Sequence, residues 1–207
     1  MKDNIIRYYY RAKECVYENG YYAEIYWQEK QNPDNISLQK YYSEYAWVVL
    51  SSGMKESVIK NKFYAISNIF KNWNDPSSII SNRSNIEEHA LQLFNNHLKI
   101  KALLFMGEYL SKNCIQYELT NIRLKGFKYL EQFPFLGPAT SLHFAKNLGF
   151  VISKPDRHLN RISNKFGFEN SLTFCKEISE FTGEKESVID IVLWRYATLN
   201  RDYLLDT

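Results

Sequence analysis

Apolar residues recur along this chain every three or four positions, the period of one face of an α-helix. Nowhere do they alternate for long in the two-residue period of a strand. On this pattern residues 3–18 and 21–31 form two short Tyr-rich helices broken at Asn19–Gly20, and Pro33–Asp34 ends the second. Ser37 can cap a helix running to about Leu50, whose last turns are wholly apolar and therefore buried. After the interruption "SSG", a helix from Glu56 to Lys71 carries Val58, Ile59, Phe63, Ile66 and Phe70 near helical spacing. "NWNDPSS" reads as a loop, residues 84–113 as one or two helices, 120–132 as another and 138–147 as the next. A Gly/Pro loop, "NLGFVISKP", leads to a helix from about Asp156 to Lys165, and two more follow near 171–181 and 185–198. The prediction is an all-α chain of roughly ten helices without repeats or a long linker.

The part densest in Gly and Pro is "FPFLGPAT", residues 133–140. Upstream, Leu124, Phe127, Leu130 and Phe133 keep a three-residue beat; downstream, Pro138 suits the first position of a new helix, where a missing N–H costs nothing. Gly137 is read as the residue allowing a backbone conformation that others resist. This is an ordinary antiparallel helix pair, or a hairpin whose N–H groups cradle a phosphate at a helix N-terminus. Asp156 likewise admits two roles. After Pro155 and before "RHLNRI" it is well placed as a helix N-cap. It is also a lone carboxylate among Lys154, Arg157, His158 and Arg161, where it can stabilise developing positive charge or orient a water.

Charge strengthens the second reading of both stretches. Residues 120–165 hold Arg123, Lys125, Lys128, Lys146, Lys154, Arg157, Arg161 and Lys165 against Glu131 and Asp156. That segment is +6 in a chain whose net charge is +3, so the remainder is mildly acidic, as expected of a body with one polyanion-binding face. The aromatic share, 16%, is high and dominated by Tyr, which suits stacking on something flat. At 207 residues the chain can bury one good core or two small lobes sharing a cleft. Cys15, Cys114 and Cys175 are odd in number and far apart, a spacing that fits neither a zinc nor an iron–sulfur site. The N-terminus has no leader-like apolar run, and no stretch reaches the length of a membrane span, so a reducing cytoplasm is expected.

The spacing of these features resembles the helix–hairpin–helix DNA glycosylase superfamily. Phe133-Pro134-Phe135-Leu136-Gly137 stands where that family has a hairpin of the form L-P-G-V-G. The Gly/Pro loop and an Asp follow, and Asp156, His158 and Arg161 match its D-x-H continuation with an Arg three positions on. The resemblance implies two helical lobes flanking a DNA-binding cleft. It treats 1–207 as one unit, with 1–40 as an N-terminal helical extension and 120–165 as the hairpin, loop and Asp.

The implied function is excision of a damaged or modified base, flipped out of double-stranded DNA, by hydrolysis of its N-glycosidic bond. Asp156 would be catalytic. Phe135, Leu136, Gly137, Ala139, Thr140, Lys154, His158 and Arg161 would hold the DNA backbone. "WVVLSSGMKESVIKNKF" is similar to the family's buried helix and wedge loop, with Ser52 and Met54 the matching wedge positions. Tyr26, Trp27, Tyr45, Trp47 and Trp194 are rings that could sandwich a base. No cofactor is implied, and some relatives hold a monovalent cation on carbonyls that here belong to Glu131, Phe133 and Leu136. Two departures matter. Phe135 replaces the hairpin's first Gly, which puts the turn and the cation in doubt, and Ala139 stands where bifunctional members carry a lyase Lys. Lys146 and Lys154 stand elsewhere in the segment. A monomer associated with the nucleoid is expected. Removal of hypermodified phage bases in antiphage defence, and a non-catalytic DNA-binding module, are the alternatives.

Overall fold

The computed structural model describes residues 2–205. Among these the chain is all-helical: twelve α-helices, two short 3-10 segments and no strand. None of these helices is long and apolar enough to cross a membrane. The helices fall into two compact units, Met1–Asn32 with Ala145–Thr207, and Pro33–Phe144. The stretch read as an extension over 1–40 is thus divided between the two units.

The first unit is built on α1 (Lys2–Glu18), α2 (Tyr22–Lys30), α10 (Arg157–Lys165), α11 (Ser171–Thr182) and α12 (Glu186–Leu199). Helix α1 buries Ile5, Tyr8, Tyr9, Ala12 and Val16 at three- and four-residue steps. This stripe belongs to a core that also takes Leu159, Ile162, Phe174, Ile178, Ile189, Val192 and Leu193. Much of the tyrosine is structural. The Tyr8 hydroxyl donates to the Tyr203 carbonyl at 2.8 Å, and the Tyr9 hydroxyl to Glu184 at 2.8 Å. The connection after residue 147 depends on Gly149, whose φ is 98°. A Cβ there would meet the Asn32 backbone nitrogen at 2.6 Å, so only glycine fits this close approach of two backbones.

The second unit contains α3 (Leu38–Ser51), α4 (Glu56–Ile69), α5 (Pro76–Ser81), α6 (Arg83–Leu93), α7 (His97–Leu110) and α8 (Ile115–Lys125). Helix α9 (Pro138–Asn147) begins in this unit, and the division between units falls within it. Ser37 caps α3 as predicted, accepting the Lys40 N–H at 3.1 Å. The helix then buries Tyr41, Tyr42, Tyr45, Ala46 and Val48 to Leu50. Gly107 of α7 lets that helix pack closely, since a Cβ would lie 2.7 Å from the Tyr42 hydroxyl.

Two local readings are corrected. "NWNDPSS" is more than a loop. Lys71, Asn72 and Trp73 make a left-handed turn with φ of 53°, 50° and 64°, and Asp75 then caps α5, whose first residue is Pro76. Nor is 120–132 one helix. Helix α8 ends at Lys125, Gly126 (φ 72°) breaks the chain, and a 3-10 segment runs over Phe127–Gln132. The three-residue beat of Phe127, Leu130 and Phe133 is the period of a 3-10 helix, while Leu124 projects outward, 79% exposed.

Candidate functional site

A tight turn over residues 133–137 joins the 3-10 segment to α9. The Leu136 N–H donates to the Phe133 carbonyl at 3.1 Å, and α9 starts at Pro138. The residue with unusual backbone is Phe135, at φ 65°; Gly137 lies outside the left-handed region, which corrects its expected role. Phe135 therefore takes the conformation that suits a glycine, at a steric cost of about 1–2 kcal/mol for an L-residue. The fold holds it there. The Tyr45 hydroxyl donates to the Pro134 carbonyl at 2.9 Å. The Thr140 hydroxyl donates to the Phe135 carbonyl at 2.8 Å and accepts the Gly137 N–H at 2.7 Å. Thr140 and the Gly137 amide, both expected to hold phosphate, are thus spent on the turn itself. The N–H groups of Ala139 and Thr140, in the exposed first turn of α9, find no acceptor among the described residues. The Leu136 side chain is buried, and the Phe133 carbonyl, expected to help hold a cation, already accepts the Leu136 N–H.

Two buried polar groups support this hairpin and escaped the sequence reading. Glu118 is wholly buried on α8 and accepts the Tyr109 hydroxyl at 2.7 Å and the Tyr129 hydroxyl at 3.0 Å, tying the 3-10 segment to α7 and α8. Burial pushes the Tyr109 phenol above its usual range, so it remains a donor. Lys99 is also buried. It donates to the carbonyls of Leu50 at 2.7 Å and Ser52 at 2.6 Å, closing the end of α3, and its Nζ lies 6.0 Å from the Phe135 ring centre. The signal was a lysine between the apolar residues of "HLKI", where a solvated charge is out of place.

The wedge loop therefore has one anchored and one open position. Ser52 is tied down through its carbonyl, and its hydroxyl donates to Val49 at 2.9 Å. Met54 is 42% exposed and follows Gly53 at φ 69°. The rings proposed to sandwich a base belong to both units. Tyr45 is core. Trp47 is half-buried, edge-on to Phe63 at 5.3 Å, and lines an open groove of about 510 Å³ with Gln39, Phe63, Tyr64 and Trp73. In the other unit Tyr26 and Trp27 are exposed on α2, and the Arg195 guanidinium lies 4.6 Å from the Trp194 ring centre.

Asp156 heads α10 as the predicted cap. Its Oδ1 accepts the His158 N–H at 2.8 Å and the Leu159 N–H at 2.9 Å. Both bonds fall on one oxygen, and Oδ2 has no hydrogen-bond partner among the described residues. Arg157 and Arg161, one helical turn apart, are exposed. His158 differs. Its Nδ1 lies 3.2 Å from the Tyr203 hydroxyl, and burial, then the Arg157 and Arg161 charges, lowers its pKa against the pull of Asp156. Its ring is thus biased towards the neutral form.

The basic stretch is partly internal. Lys146 forms a buried ion pair with Asp190, and Asp190 also accepts the Lys154 N–H at 2.5 Å. Burial raises the Asp190 pKa, opposed by Lys146 and the Lys154 N–H. Arg123 is bound to Asp34 at 2.8 Å. Asp190 went unread because it sits in "VIDIVLWRYA", where nothing local shows which cation it meets. Comparison with protein-family models, curated proteins and solved structures gives no match for this chain.

Proposed function

We propose that this chain is a DNA glycosylase that flips a damaged or modified base out of duplex DNA and hydrolyses its N-glycosidic bond. The observation that carries the reading is the divided carboxylate of Asp156. One oxygen satisfies the helix terminus, while the other is uncommitted in a surface bearing Arg157 and Arg161. A cap alone needs one oxygen; the second can stabilise a cationic sugar or orient the attacking water. The open amides at the start of α9 and the left-handed turn at Phe135 suit a phosphate contact. Ala139 offers no amine, so excision itself uses water.

Asp156→Asn tests the carboxylate. Asn retains the acceptor oxygen for both cap bonds and caps about as well as Asp, but carries no charge. The expected result is unchanged thermal stability and DNA affinity, with excision reduced by orders of magnitude. A panel of duplexes, each with one modified base, together with glucosylated phage DNA, is scored for abasic sites by alkali cleavage. Excision by Asp156→Asn at the wild-type rate, or none by the wild type on any substrate, defeats the proposal.

A further inference from the structure

We propose that the ring-lined groove of the second unit binds a proline-rich segment of a partner protein in the polyproline II conformation. This is independent of the glycosylase reading. The groove, of about 510 Å³, lies along α3 and α4. Gln39, Ser43 and Trp47 follow one another at four-residue steps on α3, and Lys60, Phe63, Tyr64 and Ser67 share one face of α4. The left-handed turn completes it. Lys71, Asn72 and Trp73 hold φ of 53°, 50° and 64°, and Trp73 stacks on Phe63 with ring centres 5.9 Å apart. Gln39 fastens the turn, its Nε2 donating to the Asn72 carbonyl at 3.1 Å. Backbone that L-residues resist, held in place by its surroundings, is a feature of ligand clamps.

The lining decides the occupant. Every apolar side chain in it is aromatic: Trp47, Phe63, Tyr64 and Trp73. Trp73 is buried, Tyr64 is 75% exposed, and the planes of Trp47 and Phe63 cross at 83°. The rings thus make ridges and slots, not one flat face on which bases would stack. Among the described residues there is no strand whose edge could pair with an extended peptide. No aliphatic side chain lines the groove to receive an amphipathic helix, and no arginine lines it to take a phosphopeptide. Aromatic-lined grooves instead receive polyproline II segments, which are extended, preformed and cheap to order.

The polar groups agree. The Ser43 hydroxyl and the Asn72 side-chain amide line the groove and have no hydrogen-bond partner among the described residues. Proline offers a carbonyl acceptor and no N–H, so a proline-rich backbone is matched by donors of this kind. No carboxylate lines the groove, and Lys60, bonded to Glu56 at 2.9 Å, is its one cation. That suits carbonyl acceptors flanked by an acidic residue. It is too little for the cationic track that a nucleic-acid strand requires.

The test titrates the full chain with a short polyproline peptide ending in glutamate and reads tryptophan emission, since Trp47 and Trp73 line the groove. The expected result is a saturable change that a Gly/Ser peptide of the same length and charge does not give. Tyr64→Ala, at an exposed position, should weaken binding about tenfold, and Tyr64→Phe should keep it. A benzophenone-bearing form of the peptide, photolysed on the unaltered chain, should crosslink to α3 or α4, as located by peptide mass mapping. No saturable change, equal binding of the Gly/Ser peptide, no effect of Tyr64→Ala, or crosslinks outside the groove overturns the inference. So does binding of oligodeoxythymidylate in the peptide's place, which would make the groove a nucleic-acid contact.

Discussion

Phe135 and Gly137 exchange the parts that their residue types suggest. Phe135 bears the left-handed backbone, and a Cβ on Gly137 would meet nothing within 4 Å. Gly137→Ala is therefore expected to leave stability unchanged or raise it by about 0.4–1 kcal/mol, by restricting the unfolded chain. If a phosphate approaches this backbone, the same change weakens DNA binding. Melting curves and titrations of one duplex separate the two effects, and unchanged affinity would remove Gly137 from the contact. His158 carries a pH prediction. Its folded pKa lies below the ordinary value of 6.5, so the unfolded chain binds the proton more readily. Its contribution to stability is full above that value and is lost as pH falls through the folded pKa. Melting temperature should fall on acidification from about pH 7.5 to 5.5, and less so in His158→Gln. Equal slopes for the two proteins would show that another group dominates.

At the scale of elements, short polar segments were harder to read than helices. Pro138, Ser37 and the apolar stripe of α1 are local signals, and each element they mark formed. Residues 120–132 divide at Gly126, and the three-residue beat beyond it, which suits an irregular α-helix as well as a 3-10 turn, is 3-10, with Tyr129 bonded to Glu118 of α8. The loop after α9 is fixed by Gly149 through two independent constraints, a φ of 98° and a backbone 2.6 Å from any Cβ. Gly149→Ala is expected to destabilise the chain by about 2–4 kcal/mol, the sum of a strained φ and a displaced neighbour, read as a lower denaturation midpoint. A change below about 0.5 kcal/mol would mean that the 31–32 backbone moves aside freely.

For the whole molecule, the charge count of residues 120–165 overstates the cationic surface. Lys146 is internal and Arg123 is paired with Asp34. Arg157 and Arg161 are the cations beside Asp156 that face solvent. If both contact phosphates, replacing them with Gln should reduce the slope of log affinity against log salt by about 1.8, at roughly 0.9 per contact. An unchanged slope would place the phosphate contacts elsewhere.

The sequence by itself determined the helical class, most helix positions, the turn before Pro138 and the cap at Asp156, because each rests on local periodicity, proline placement or a side chain bonding its own backbone. Only the tertiary structure decided which cations are buried, that Phe135 takes the left-handed turn, that Glu118 and Lys99 lie inside, and that one oxygen of Asp156 is left over. Those outcomes depend on partners tens of residues away. The desolvation that lowers the His158 pKa and encloses the Lys146–Asp190 pair exists only once distant helices have excluded water from them.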